Sequence, residues 1–178
     1  MSQVRFFALD VEADGPCPGL YSMVSFAVVP VDEPDRAFYS EIRPIGTRFQ
    51  PEALAVAGFT REQTLDFAPT DEVMARFRDW AQTEIGAGRG VLVSDNPGFD
   101  AGFLTHACEW AGFANPFGHS ARRLGDVWAG MSRDLRDTRG WKRLTSQRHT
   151  HHALDDARKV AQGWQQIQAN LRRKPTPV

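Results

Sequence analysis

The chain has 178 residues, of which 42% are hydrophobic and 24% charged, fractions typical of a soluble globular protein rather than a disordered one. No apolar run approaches the ~20 residues needed to span a bilayer, and two cysteines are too few for a disulfide framework or a structural zinc site. Charges at Arg5, Asp10 and Asp14 do not suit a secretory signal. We therefore expect a cytoplasmic protein that makes no contact with membranes.

The net charge of −1 hides two regions of opposite sign. Residues 1–121 carry 8 Lys and Arg against 17 Asp and Glu, whereas residues 122–178 carry 13 against 5. This asymmetry suits a site that combines metal-binding carboxylates with a surface that grips phosphates. Solvated faces of an ordinary protein would give the same pattern, so charge alone leaves both interpretations open.

Apolar periodicity predicts strands in the first part of the chain. Short runs rich in β-forming residues cover 4–11, 22–31 and 37–42, and the short links between them favour an antiparallel arrangement. The stretch 14–19 contains two Gly and two Pro, which indicates a loop.

Helices dominate the rest of the chain. Apolar residues at helical spacing predict a helix over 70–85 that ends at Gly86. A buried strand over 91–94 leads into another helix that closes at Gly112, and the last helix runs from about 153 to 172. Strands first and alternating strands and helices later are typical of a mixed-sheet α/β domain.

Two acids, Asp10 and Glu12, follow each other at the carboxyl end of the first predicted strand. Residues i and i+2 of a strand share a face, so both carboxylates should project together. Repulsion and desolvation disfavour such a pair unless a divalent cation binds it, and oxygen ligands favour Mg²⁺ or Mn²⁺. If the strand ends earlier, the two acids are simply solvated.

Two more acids come from distant parts of the sequence. Asp100 lies near the start of the helix after the strand at 91–94, and Asp156 lies at the start of the last helix. In an open α/β sheet, strand ends and the adjacent helix starts meet in one crevice. We therefore expect these acids to join Asp10 and Glu12 in one site.

Three motifs contain these acids: Asp10-Val11-Glu12, Asn96 to Asp100 continuing into Gly102-Phe103-Leu104, and His151-x-Ala153-x-x-Asp156-Ala157. With them, the sequence resembles the DEDDh 3′–5′ exonucleases, which include the proofreading subunit of bacterial DNA polymerase III, ribonuclease T and oligoribonuclease. The segment 51–60 also looks like the linker that follows the third strand in this family. The resemblance extends over roughly residues 5–165.

The resemblance implies a ribonuclease H-like fold in one exonuclease domain over 1–173, with 174–178 as a flexible tail. Its sheet would have five mixed strands, three antiparallel and two parallel, flanked by helices. The implied activity is metal-dependent hydrolysis from the 3′ end of single-stranded DNA or RNA, which releases nucleoside 5′-monophosphates. Some family members are homodimers, so dimerisation of this chain stays open.

The resemblance also assigns roles to the acids. Two Mg²⁺ or Mn²⁺ ions would clamp the scissile phosphate. Asp10 would bridge both ions, Glu12 and Asp156 would serve the ion that activates water, and Asp100 would complete the set through water. Glu12 thus counts as both a catalytic residue and a metal ligand.

Five histidines offer a general base, and two of them compete for the role. Helix geometry favours His152, four residues before Asp156 on the same helix face. The family spacing instead favours His151, on the loop just ahead of the helix. We choose His151 as the catalytic base, because a loop position can reach the attacking water.

Substrate contacts are predicted at five positions. The backbone N–H of Ala13 would meet the terminal nucleotide, and Asn96 and Phe99 belong to the second motif. Met23 would be an apolar wedge under the terminal base or part of the core. Arg143 would hold a substrate phosphate.

Arg143 belongs to a basic segment over 133–148, which precedes His151 and should border the cleft. Within it, Trp141 would either stack on a base or anchor the segment in the core. The sequence departs from the family at Asp95, where many members have His.

Two other functions compete with the exonuclease. The tract His149-Thr150-His151-His152 resembles part of a zinc hydrolase motif, but it leaves Asp10, Glu12 and Asp100 unexplained. A non-catalytic nucleic-acid-binding module on the same fold would not need four acids and a histidine.

Overall fold

The computed structural model describes residues 3–146 and 150–173 and contains a five-stranded mixed sheet of order β3-β2-β1-β4-β5. β1 pairs antiparallel with β2, and β2 antiparallel with β3. β4 pairs parallel with β1, and β5 parallel with β4. The strands are β1 (Val4–Ala13), β2 (Met23–Pro30), β3 (Phe38–Glu41), β4 (Arg89–Ser94) and β5 (Ala121–Arg123). This sheet confirms the predicted mixture of three antiparallel and two parallel strands.

Helices flank the sheet and connect its strands. The short helices α1 and α2 occupy the linker after β3, while α3 ends at Gly86, whose φ of 57° suits glycine. Single 3₁₀ turns lie at Pro34–Arg36 and Gly140–Leu144. The α-helices are α1 (Pro51–Val56), α2 (Arg61–Leu65), α3 (Thr70–Ile85), α4 (Pro97–Trp110), α5 (Leu124–Ser132) and α6 (Ala153–Arg173). Across 3–146 and 150–173, no helix is long and apolar enough to cross a membrane.

Hydrophobic side chains pack on both faces of the sheet. Phe7 and Leu9 of β1 join the core beneath α3 and α4, whereas Ala8 joins the core beneath α6. Successive residues of a strand point to opposite faces. Asp10 and Glu12 therefore share the α6 face of β1.

The fold brings three chain segments to one edge of the sheet. β1 and β4 are parallel, so their carboxyl ends lie side by side. A register shift between Glu12 and Ala13 ends the regular pairing of β1 with β2, a feature often found beside active sites. The first turns of α4 and α6 complete this edge.

Candidate active site

Three carboxylates meet where β1 faces the start of α6. One oxygen from each of Asp10, Glu12 and Asp156 lies within 4.8 Å of the others. Asp156 is buried in the first turns of α6, and Glu12 is only 9% exposed. The strand therefore does not end before the acids, and Asp10 and Glu12 are not simply solvated.

Burial and neighbouring charges shift the pKa values of two of the three carboxylates, Asp10 and Glu12. Burial raises the pKa of Asp10 well above its ordinary value, and the charges of Asp100, Glu12 and Asp156 raise it further. Burial and the charges of Asp156 and Asp100 raise the pKa of Glu12 to about 8. Oδ2 of Asp10 is buried and accepts no hydrogen bond from the described residues. An all-oxygen cluster with an unpartnered buried oxygen fits a hard divalent cation.

Asp100 lies next to the trio, in the first turn of α4, and is 5% exposed. Burial raises its pKa to about 7, while hydrogen bonds from Ser94 and from the backbone of Asn96 and Val11 oppose that rise. Ser94 Oγ donates to Oδ2 of Asp100 and accepts from the Asn96 backbone N–H. Sequence analysis missed Ser94, whose only signal is a polar residue closing the apolar strand β4.

The loop before α6 wraps the carboxylate of Asp156. The backbone N–H of His151 donates to Asp156 Oδ2 at 2.8 Å, and that of Thr150 donates to Oδ1 at 3.2 Å. His151 has φ of 56°, in the left-handed region that residues other than glycine seldom adopt. Its side chain is exposed.

His152 contacts Tyr39 and Asp155. Its ring packs against Tyr39 with centroids 4.9 Å apart, and its Nδ1 lies 3.6 Å from Asp155 Oδ2. The choice of His151 as the base stays a prediction.

The five predicted substrate residues have different environments. Ala13 is buried at the end of β1, and Met23 is 4% exposed within the core, which is one of the two alternatives for that residue. Asn96 is exposed just before α4. Phe99 is half-buried against Phe103, and Arg143 is exposed.

Asp14, just past β1, takes no part in the trio. It is fully buried, accepts a hydrogen bond from the Ser22 N–H at 2.6 Å and pairs with Arg61 at 3.1 Å. The acid therefore fixes the loop after Glu12.

The basic segment and two acids of the trio, Asp10 and Asp156, line the same small cavity, of about 20 Å³. Trp141 is 1% exposed, which assigns it to the core rather than to base stacking. Arg148 and His149 lie outside the described residues. Sequence analysis did not single out Lys159, which is 7% exposed. The cavity is lined by Asp10, Asp95, Trp141, Lys142, Asp156, Lys159 and Val160.

A larger cleft, of about 480 Å³, lies at the other end of β1 around Arg5. There the guanidinium is paired with Asp32, Glu33 and Glu84. Glu84 also pairs with Arg36 at 2.6 Å, so this cleft is lined by an arginine–carboxylate network rather than by a cluster of acids alone.

Comparison with known proteins agrees with this geometry. The family model of the 3′–5′ exoribonuclease Rv2179c-like domain matches residues 6–168. The 3′–5′ DNA exonuclease Cap18 of Escherichia coli is 30% identical over 164 residues, which cover 88% of each chain.

Solved structures share the fold at lower sequence identity. The nuclease domain of 3′hExo, a DEDDh family member bound to rAMP, superposes with a TM-score of 0.71 at 16% identity, covering 94% of this chain and 92% of that one. E. coli Exonuclease I in complex with a dT13 oligonucleotide gives 0.67 at 15% identity, covering 96% and 42%. The family and the exonuclease activity implied by the three motifs are thus confirmed. The chain belongs to the Rv2179c-like family of 3′–5′ exoribonuclease domains.

Proposed function

We propose that this 3′–5′ exonuclease is metal-dependent, acts on the 3′ end of single-stranded nucleic acid and releases nucleoside 5′-monophosphates. The observation that carries the proposal is the trio of Asp10, Glu12 and Asp156, whose oxygens lie within 4.8 Å of each other. Burying three acids together is unfavourable without a compensating cation.

Asp10, Glu12 and Asp156 would hold the metal, with Asp100 beside them. Carboxylate oxygens are ligands that Mg²⁺ and Mn²⁺ prefer. When bound, two such ions supply the positive charge that stabilises the attacking and leaving oxygens of a phosphodiester. Ser94, through its hydrogen bond to Asp100, orients that carboxylate toward the cluster.

His151 would accept the proton of the attacking water. A neutral imidazole titrates near neutral pH, which suits a general base. The hydrogen bond from the His151 backbone N–H to Asp156 ties this residue to a member of the acidic trio, which supports the role.

Substrate would bind between the basic segment and the sheet edge at which β1 and β4 end. Ala13 follows Glu12 on β1, and Asn96 and Phe99 precede Asp100 at the start of α4, so these groups would contact the terminal nucleotide. Arg143 is exposed on the basic segment and would contact a phosphate.

A side-by-side degradation assay tests the proposal. The family model is described as an exoribonuclease and the E. coli relative as a DNA exonuclease, so single-stranded RNA and DNA, each labelled at the 3′ end, are both supplied. We expect early release of labelled mononucleotide with Mg²⁺ or Mn²⁺ and none with EDTA.

Two controls sharpen this assay. Glu12→Gln should abolish release, whereas Asp79→Asn, which removes an exposed acid of α3, should leave it unchanged. Binding without release would identify a non-catalytic module, and activity restored by zinc alone would identify a zinc hydrolase. Either result would overturn the proposal.

A further inference from the structure

An ion pair crosses the mouth of the candidate active site. Nζ of Lys142 lies 2.7 Å from Oδ2 of Asp95, and both side chains are nearly 40% exposed, at 39% and 38%. Asp95 follows β4, while Lys142 lies in the 3₁₀ turn of the basic segment. The backbone carbonyl of Asp95 accepts a hydrogen bond from Arg123 Nε at 3.1 Å, so the backbone of this residue is tied to β5.

The pair belongs to the surroundings of the acidic trio. Asp95 and Lys142 line the same small cavity as Asp10 and Asp156. The charge of Asp95 also raises the pKa values of Asp10 and Asp100. The pair therefore borders two of the three acids of the trio.

The pair is not needed to hold the basic segment in place. Exposed ion pairs contribute little to folding stability. Trp141, at 1% exposure, already anchors the segment in the core, and Asp137 ties it to α5 through the Trp128 indole N–H at 3.1 Å. Apart from the ion pair, the Lys142 ammonium contacts the face of the Trp141 ring, with Nζ 5.4 Å from the ring centroid.

A lysine ammonium binds carboxylate and phosphate oxygens in the same way, as a point charge. The Asp95 carboxylate thus occupies the place that a phosphate oxygen could take. Lys159, the other lysine on this cavity, forms no ion pair with a carboxylate among residues 3–146 and 150–173.

We propose that Asp95 is a placeholder for a substrate phosphate. In the free protein it pairs with Lys142 at the cleft mouth, and on binding Lys142 transfers to a backbone phosphate near the 3′ end of the nucleic acid. Asp95 then competes with the substrate and lowers its affinity. This inference rests on the proposed function, because it takes the phosphate of a single-stranded 3′ end as the competing anion.

Equilibrium binding of a 5′-labelled single-stranded oligonucleotide, measured in EDTA so that no turnover occurs, tests the exchange. Asp95→Asn should lower Kd by roughly 2- to 5-fold, the size expected for one exposed ion pair. Lys142→Met should raise Kd and reduce the slope of log Kd against log salt by about one. Asp79→Asn is the matched control, since it removes a similarly paired exposed acid from α3.

The double variant separates exchange from simple repulsion. If Asp95 acts through Lys142, Asp95→Asn should have no effect in the Lys142→Met background. An equal decrease in Kd in both backgrounds would mean that Asp95 only repels the substrate. A rise in Kd for Asp95→Asn would mean that the ion pair is needed to hold the binding surface in place. Either outcome overturns the inference.

Failure of the inference and failure of the proposed function give different results. If wild-type protein with Mg²⁺ releases mononucleotides but the double variant shows additive effects, only the inference fails. If wild-type protein releases none, the proposed function fails. Thermal melting of each variant checks that the protein still folds.

Discussion

The backbone N–H of His151 donates a hydrogen bond to Oδ2 of Asp156, 2.8 Å away. The proposed base and a proposed metal ligand are thus joined by the backbone, in a residue with φ of 56°. A non-glycine residue in this region costs about 1 kcal/mol. The structure keeps this strained geometry at a residue whose backbone binds a member of the acidic trio.

Removing the two histidine side chains should have unequal effects. His151→Ala should lower kcat by roughly 10²–10⁴-fold, the usual contribution of a positioned base, while metal binding survives because all four acids remain. His152→Ala should lower kcat far less, because the His152 ring packs on Tyr39. Steady-state kinetics on a single-stranded oligonucleotide with Mg²⁺ measures both, and the reverse order would move the base to His152.

The backbone strain at His151 can be tested independently of catalysis, through folding stability. His151→Gly should be more stable than His151→Ala by about 1 kcal/mol, since glycine adopts a positive φ at little cost. Urea denaturation of the two inactive variants compares them. Equal stability would show that the loop relaxes when the imidazole is removed.

Neutralising one acid of the trio should abolish turnover but stabilise the metal-free protein. Asp10→Asn removes a carboxylate whose pKa is raised by burial and by four neighbouring acids. Its melting temperature in EDTA should exceed that of wild type, because repulsion is relieved. Mg²⁺ should raise the melting temperature of wild type more than that of the variant. A variant with near-wild-type activity would remove Asp10 from the site.

The same acids predict how stability depends on pH without metal. The pKa of Glu12 rises from 4.5 to about 8 on folding, and that of Asp100 from 3.8 to about 7. The folded state therefore binds more protons than the unfolded state between these values, so stability falls as pH rises from about 4 to about 8. Metal should cancel this fall by favouring the ionised carboxylates.

Melting curves across this pH range, with EDTA and with excess Mg²⁺, measure the effect. The two series should diverge as pH rises, and Glu12→Gln should reduce the divergence. Parallel series would show that the cation does not bind these carboxylates.

The sequence predicts the long elements of the fold well, because they bury many apolar residues at regular spacing. α3 ends at Gly86 and α6 begins at Ala153, as predicted. The helices α1 and α2 are too short to show a periodic pattern. β5 has three residues, two of them exposed arginines, so only the family resemblance implied a fifth strand.

The candidate site, too, is only partly predicted by the sequence. The four acids stand out because charged residues at the ends of apolar elements need a reason to be there. Ser94 and Lys159 do not stand out, since a serine after a strand and a lysine on a helix are common. Their positions depend on how α4 and α6 pack, which spacing alone does not give.

The exposed arginines of the basic segment should govern substrate affinity. Arg139→Glu combined with Arg143→Glu should raise KM and flatten its salt dependence, while kcat changes little, because phosphate contacts outside the reacting centre hold both ground and transition states. Arg143 is paired with Asp137 at 3.0 Å in the free protein. Replacing the exposed Arg76 and Arg78 of α3 by Glu makes a charge-matched control. An unchanged salt slope would make the segment a solvated face.

The buried pair of Asp14 and Arg61 should matter for stability and not for metal binding. Arg61→Met leaves the Asp14 carboxylate, fully buried, without its cation, so unfolding free energy should fall by about 3 kcal/mol. Asp14→Asn should cost less, because the amide oxygen can still accept from the Ser22 N–H. Urea denaturation measures both changes.

The pH dependence of the Arg61→Met loss identifies its cause. Burial already raises the pKa of Asp14, and Arg61 opposes that rise. Without Arg61 the pKa should rise further, so the carboxyl can fold in its neutral form at low pH. The folded variant then binds a proton that the unfolded chain has lost, and its stability falls as pH increases. The loss should therefore be smaller near about pH 5 than near about pH 8. A loss that does not vary with pH would assign the effect to packing of the Arg61 side chain, which also lies 5.0 Å from the Phe49 ring centroid.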